Sequence, residues 1–347
     1  MSDLTHAGEV DLYERELAAW FRVPQAVGVS TGSAALHLAL TALGIGHGDE
    51  VLVPALAPPS SIMPVIRAGA RPVFVDCGPT GAGLDLADVA DKITAKSRAM
   101  MLVHLWGRTG DAHGAVEIAG DHGLRVIEDA THAVGTIIDD TPAGTLGDAG
   151  CVSTRQGNLL DSGTGGFLLI HDPALAQKCR ALRERGHALA NADTPSAAVG
   201  YEYRLAGSLA AVARAHLTRL PEKLRNHAWR TARLTEHLHE CPELALSPAT
   251  GPESWNGHSA LAYLKMLRPR SFSVHLDRHG ITNSVGSHSL VSADQLPIFE
   301  PYVDLPCLRA RVVFDTTLAI SPPPVSDERL REIAATVARA ACDWPPA

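Results

Sequence analysis

Several short apolar runs in this chain end on side chains able to do chemistry. Val27-Gly-Val-Ser30 ends on a hydroxyl, Val126-Ile-Glu-Asp129 on a carboxylate and Cys151-Val-Ser153 on a second hydroxyl. The carboxylate continues into Ala130-Thr-His132, which adds an imidazole three residues on. A carboxylate near an imidazole suits proton transfer, with His132 as general acid/base and Asp129 orienting it or stabilising its charged form. His104, at the end of Ala99-Met-Met-Leu-Val103, is placed with the same group. Thr31-Gly-Ser33 opens an Ala/Leu-rich helix whose first-turn N–H groups are unpaired, a start that favours an anion. Each feature also has a plainer reading: an Asp at a strand end caps the helix that follows, and a Thr-Gly-Ser turn is an ordinary N-cap.

Converging these groups requires a scaffold that ends its strands on one edge. The runs at Arg71–Asp76 and Ala99–His104 are largely apolar and bounded by turn residues, the pattern of strands buried on both faces, and Asp49–Pro54 and Leu124–Asp129 are further strand signals. Helical patterns over 84–96 and 112–122 alternate with them, which implies a mainly parallel sheet with right-handed crossovers. Ligands in such sheets sit at the carboxyl ends of strands, where Ser30, Asp129 and Ser153 fall. Leu12, Leu17, Trp20 and Phe21 mark an amphipathic opening helix over 9–22. Gly150 to Ile170 reads as strand, polar turn, strand. A helix from Ala174 ends at Gly186, and a flexible polar stretch follows at Asn191–Ala198. A long helical pattern over 209–239, broken by Pro221, leads into a smaller unit.

With 347 residues and 46% apolar content the chain can bury a substantial core, and its length suggests a large domain (1–222) and a smaller C-terminal α+β domain (223–347). The net charge of −8 and the scattered basic residues exclude a nucleic-acid surface. No charged and apolar leader opens the chain and no apolar run reaches about 18 residues, so a cytoplasmic protein without a membrane span is expected. The six cysteines form no CxxC pair, and the 17 histidines offer no second ligand pair at metal spacing, so no metal site is expected.

The stretch from Gly150 to Gly166 is similar to the pyridoxal-phosphate (PLP) loop of the DegT/DnrJ/EryC1/StrS aminotransferases, fold-type I enzymes that mostly aminate nucleotide-linked keto-sugars. The resemblance implies an α/β fold-type I PLP-transferase large domain, and homodimers with active sites at the interface. It implies that Gly32, Ser33 and Ser153 meet the cofactor phosphate, that Asp129 pairs with the pyridine nitrogen, and that His132 lies near the ring. In the family a Lys stands five residues after the Ser; here Asn158 does. A carboxamide cannot condense with an aldehyde or shuttle protons as an amine can. The chain's lysines, Lys92, Lys96, Lys178, Lys223 and Lys265, all lie outside the loop. Pro58 stands where the family has a ring-stacking aromatic, Glu202 where an Asn reaches the partner's phosphate, and the His expected after Gly280-Ile281 is shifted to His288 or lost. A carboxylate ~4 Å from a phosphate, at an effective dielectric near ~20, costs on the order of 4 kcal/mol.

These substitutions lead to the expectation of a PLP-independent enzyme of secondary metabolism. Asp129, His132, His104, Glu202 and Asn158 would line the vacated pocket and carry out an elimination, isomerisation or cyclisation on a small molecule. Non-covalent PLP or pyridoxamine phosphate (PMP) is not favoured. The alternatives are a PMP-dependent keto-sugar dehydratase or aminotransferase-like enzyme, and a non-catalytic partner subunit of an active homologue.

Overall fold

The computed structural model describes residues 6–184, 199–247 and 253–345. Helix α1 (His6–Phe21) places Tyr13, Leu17 and Phe21 four residues apart on one buried face. Two of them meet Phe167, with ring centroids 6.2 Å (Tyr13) and 5.6 Å (Phe21) away.

The central sheet has seven strands: β1 (Gln25–Val29), β2 (Glu50–Pro54), β3 (Arg71–Val75), β4 (Ser97–Val103), β5 (Arg125–Asp129), β8 (Ala149–Ser153) and β9 (Gly166–Ile170). Their spatial order is β1-β9-β8-β5-β4-β2-β3. β9 is antiparallel to both its neighbours and the other pairings are parallel. A short ribbon of β6 (Ile137–Ile138), β7 (Thr141–Pro142) and β11 (Glu253–Ser254) hangs beside it.

Helices cover both faces, as the continuous apolar strands require. On one side α2 (Gly32–Ala42), α3 (Pro59–Arg67) and α6 (Pro173–Arg183) bury Leu36, Ile62 and Leu175 with Val53, Ile127 and Cys151. On the other, α4 (Leu86–Lys92) and α5 (Ala112–Asp121) bury Val89 and Ala115 with Leu52, Leu102 and Val126. Successive strand residues point to opposite faces, so Glu128 and Asp129 diverge. The expected helix over 84–96 is shorter: Asp85 caps α4, and the backbone turns extended at Ile93.

The helical pattern over 209–239 is two helices, α7 (Gly207–Thr218) and α8 (Leu220–Leu238), with Pro221 in the first turn of α8, where its missing N–H costs nothing. A second core forms from the sheet β10-β12-β13, of Leu244–Leu246, Ala260–Leu264 and Thr317–Ile320, under α8, α9 (Pro269–Arg278) and α11 (Asp327–Cys342). Helix α10 (Leu308–Thr316) returns Val313 and Phe314 to the first core. Gly186 and the polar stretch at 191–198 lie outside the described residues. No described helix is long and apolar enough to cross a membrane.

Candidate active site

Parallel register places Asp129 level with Val103 and with Cys151, so its carboxylate emerges at the strands' carboxyl edge. Two donors fix it. Ser61 Oγ, on the first turn of α3, donates to Oδ2 at 2.6 Å, and the Thr131 N–H donates to Oδ1 at 3.1 Å. Thr131 Oγ1 in turn accepts the Ser153 N–H at 3.1 Å, tying the end of β8 to the same turn.

Beside this carboxylate the start of α2 abuts Ser153. Thr31 caps the helix, its Oγ1 and carbonyl accepting the N–H groups of Ala34 and Ala35, so the Gly32 and Ser33 N–H groups make no hydrogen bond among the described residues. A Cβ on Gly32 would lie 2.6 Å from Ser153 Cβ, so only glycine allows this approach. Ser33 Oγ is only weakly engaged, at 3.4 Å from the Ser60 carbonyl. An anion-favouring helix start, two hydroxyls and a carboxylate thus face a common edge.

Residues 154–165 join β8 to β9 and are hydrogen-bonded internally. Thr154 N–H donates to the Gly165 carbonyl at 3.0 Å, and Asp161 accepts from the N–H groups of Gly157 and Gly163 at 3.0 and 2.7 Å. Asn158 turns its amide back into the loop and donates to the Ser153 carbonyl at 2.8 Å. Although every lysine is distant in sequence, folding brings Lys223 of α8 to this loop. Its Nζ donates to the Leu159 carbonyl at 3.3 Å and lies 3.1 Å from His216 Nδ1. Desolvation lowers its pKa.

His132 sits in the turn after Asp129 and is held from three sides. Trp106, in the left-handed region at φ 57°, donates its N–H to His132 Nδ1 at 3.3 Å. Asn256 donates its amide to the carbonyls of His132 and Val134 at 2.8 and 3.0 Å. The His258 ring stacks on His132, with centroids 4.2 Å apart and planes at 29°. Burial pushes the His132 pKa down to about 4, against the raising effect of Asp129 and with help from the charges of Arg155 and His288. His258 is pushed well down too, by burial and by the charges of His132 and His227.

One expected pocket residue is placed elsewhere. His104 is buried on the opposite face of the sheet from Asp129, its Nε2 2.9 Å from Glu128 Oε2. Glu128 also accepts the N–H groups of Gly144, Leu146 and Gly147, so the pair braces a turn. Glu202 is half exposed, at φ 54°, and pairs with Arg204 at 2.7 Å, which compensates the charge expected to repel a phosphate. Pro58 caps α3 and starts the turn that delivers Ser61. Ser61, Trp106, Asn256 and His258 were missed. Pro58-Pro59 as a helix start was the available signal for Ser61. Trp255-Asn-Gly-His258 carries no spacing that marks it.

A model of the DegT/DnrJ/EryC1/StrS aminotransferase family matches residues 2–335. The chain belongs to this family. It is 31% identical over 298 residues to the GDP-perosamine synthase of Vibrio cholerae, covering 86% of this chain and 78% of that one. It is 35% identical over 268 residues to the L-glutamine:scyllo-inosose aminotransferase of Streptomyces griseus, covering 74% and 62%. Among solved structures, DesI in the presence of its TDP-sugar product superposes with a TM-score of 0.85 at 26% identity, covering 97% and 85% of the two chains. The fold is thus the α/β fold of the fold-type I PLP aminotransferases.

These relatives overturn the expectation of PLP-independent elimination, isomerisation or cyclisation. The family is one of aminotransferases, and the Streptomyces relative is named as one. The preference against PLP and PMP falls with it. Among the described residues no group of three or more His, Cys, Asp or Glu could hold a metal ion.

Proposed function

We propose that this chain is a vitamin-B6-dependent enzyme acting on a keto-sugar or related keto-cyclitol. It holds PMP or PLP without a covalent tether and works as an aminotransferase or PMP-dependent dehydratase. The observation that carries the reading is that a carboxylate and an anion cradle fit for a B6 coenzyme stand together with Asn158. Asp129 is oriented for a protonated pyridine nitrogen, and the Gly32–Ser33 helix start lies against Ser153 as an anion cradle that a Cβ would fill. The loop position where the family carries its amine holds a carboxamide hydrogen-bonded to Ser153.

When bound, the coenzyme supplies an amine and an aromatic electron sink. The chain's own residues bind and orient. Asp129 stabilises positive charge on the ring nitrogen, and Ser61 and Thr131 hold the carboxylate in place, so it need not reorganise. The N–H groups of Gly32 and Ser33 and the hydroxyls of Ser33 and Ser153 donate to the phosphate. Arg204 neutralises Glu202, so a phosphate nearby meets a paired charge. The names of the relatives, a sugar synthase, an inosose aminotransferase and an enzyme solved with a TDP-sugar, support a sugar-like substrate. By the family resemblance the protein works as a homodimer with sites at the interface.

The test is equilibrium dialysis of the purified protein against PMP and PLP. Mass spectrometry of products from nucleotide-linked keto-sugars and scyllo-inosose, with L-glutamine or L-glutamate as amino donor, follows. Retention of PMP and its loss in Asp129→Asn are expected; failure to bind either coenzyme overturns the reading.

A further inference from the structure

A chain with Asn158 in the loop lacks the amine that moves protons in its relatives, and His132 cannot simply replace it. Hydrogen-bond accounting around the two stacked imidazoles explains why. His132 Nδ1 receives the Trp106 N–H, so a neutral ring carries its own proton on Nε2 and has no free lone pair. It is a donor.

His258 is set the other way by a chain of three contacts. Ser321 Oγ donates to the His258 carbonyl at 3.0 Å, which uses its proton. Ser321 must therefore accept from Ser259 Oγ, 2.8 Å away, and that uses the Ser259 proton. Ser259 must then accept from His258 Nδ1 at 2.9 Å. This is the one assignment that leaves no oxygen pair without a hydrogen between them. The His258 proton is on Nδ1, and Nε2 keeps a lone pair with no hydrogen-bond partner among the described residues. The face of its ring lies on His132, three residues beyond Asp129. His227 donates its Nε2–H to the His258 carbonyl at 3.1 Å, so it too supports the backbone of this segment.

We infer that His258, through Nε2, is the catalytic base of this enzyme, with His132 beside it as hydrogen-bond donor. The inference rests on the B6 reading given above. In the step it performs, a C–H bond of the bound substrate breaks, the proton passes to Nε2, and the bonding pair stays with the bound organic partner. The imidazolium so formed is stabilised at Nδ1–H by Ser259 and, through it, by the exposed Ser321. The same ring returns the proton in the reverse sense.

The first experiment needs no coenzyme: histidine-selective nitrogen-15 NMR of the whole protein, with His132→Gln and His258→Gln used to assign the signals. His258 is expected as the Nδ1–H tautomer and His132 as Nε2–H, and Ser259→Ala should turn the His258 signal into a tautomer mixture. A His258 ring protonated on Nε2 overturns the proposal.

The second experiment reads solvent-deuterium uptake into the substrate in the presence of PMP, alongside PMP affinity. His258→Gln should lower exchange roughly 10²–10⁴-fold while PMP affinity stays within about threefold. Exchange that survives in His258→Gln and is lost in His132→Gln assigns the base to His132 and sinks the inference. If the wild type itself fails to retain PMP, the B6 reading fails instead, and the tautomer result still stands or falls alone.

Discussion

Ser61 and Asp129 lie 68 residues apart and meet at 2.6 Å, hydroxyl to carboxylate, at the edge of the central sheet. Ser61 is wholly buried, so this contact orders the aspartate before any ligand arrives. A hydrogen bond to a charged group contributes about 1.5–3 kcal/mol. Ser61→Ala should therefore weaken PMP binding roughly 10- to 100-fold by calorimetric titration, with kinetic effects following from occupancy. Unchanged affinity would mean that Asp129 needs no support.

The paired groups on the other face should behave oppositely. Glu128 takes N–H donors from Gly144, Leu146 and Gly147 as well as His104, in a fully buried setting. Breaking such a pair costs about 3–5 kcal/mol. His104→Ala and Glu128→Gln should lower the unfolding free energy by that measure in denaturant titration, while the folded fraction retains PMP affinity. Loss of binding without loss of stability would return His104 to the active site.

Close packing at the head of α2 gives a third prediction. A side chain at Gly32 would start 2.6 Å from Ser153 Cβ and 3.0 Å from its Cα. Gly32→Val should destabilise by about 1–3 kcal/mol through overpacking and abolish phosphate-dependent binding. Pyridoxamine without its phosphate would show little further loss. Full PMP affinity in this variant would place the phosphate elsewhere.

The stacked imidazoles give a pH dependence whose sign is fixed by their environment. Burial lowers His132 from 6.5 to about 4, and lowers His258 and His227 in the same direction. The unfolded chain therefore binds more protons than the folded one across that range. The stability these groups contribute is present above about pH 6.5 and is lost as pH falls toward about 4. Glu128, whose pKa is also lowered, loses its share only below the ordinary carboxylate range. Thermal unfolding as a function of pH should show an acid slope already between pH 6.5 and 4, reduced in His258→Asn. A flat profile there would show that these rings ionise freely.

The lysines supply a fifth. Lys223 Nζ is engaged by the Leu159 carbonyl and by His216, so borohydride treatment of the PLP-loaded wild type should leave no pyridoxyl adduct on it or on any other residue. Asn158→Lys should acquire such an adduct at the new amine, read by peptide mass mapping. A reduced adduct at Lys223 would show that α8 has taken over the missing function.

Strand positions and layering were largely legible because short apolar runs such as Leu52-Val53 and Met100–Val103, bounded by turn residues, read as strands buried on both faces. The position of Asp129 at a strand end was legible too, from Val126-Ile-Glu128-Asp129. What the sequence hid was convergence. Asp129 ends β5 and His104 directly follows β4, yet the alternation of side chains sends Glu128 to the far face, and His104 pairs with it there. His258 lies in a stretch whose hydrogen bonds to the turn at His132 arise only when the second core docks, so no local periodicity marks it. Lys223 likewise reaches the loop only through the packing of α8.

Because β8 and β9 are immediate neighbours in the sheet, residues 154–165 leave and re-enter the scaffold through adjoining doors. Their anchoring is carried by main-chain bonds, by Asp161 and by the Asn158 amide on the Ser153 carbonyl. The tip is therefore a closed lobe: both of its ends are fixed in neighbouring strands, and the Asn158 amide ties its middle back to the Ser153 carbonyl.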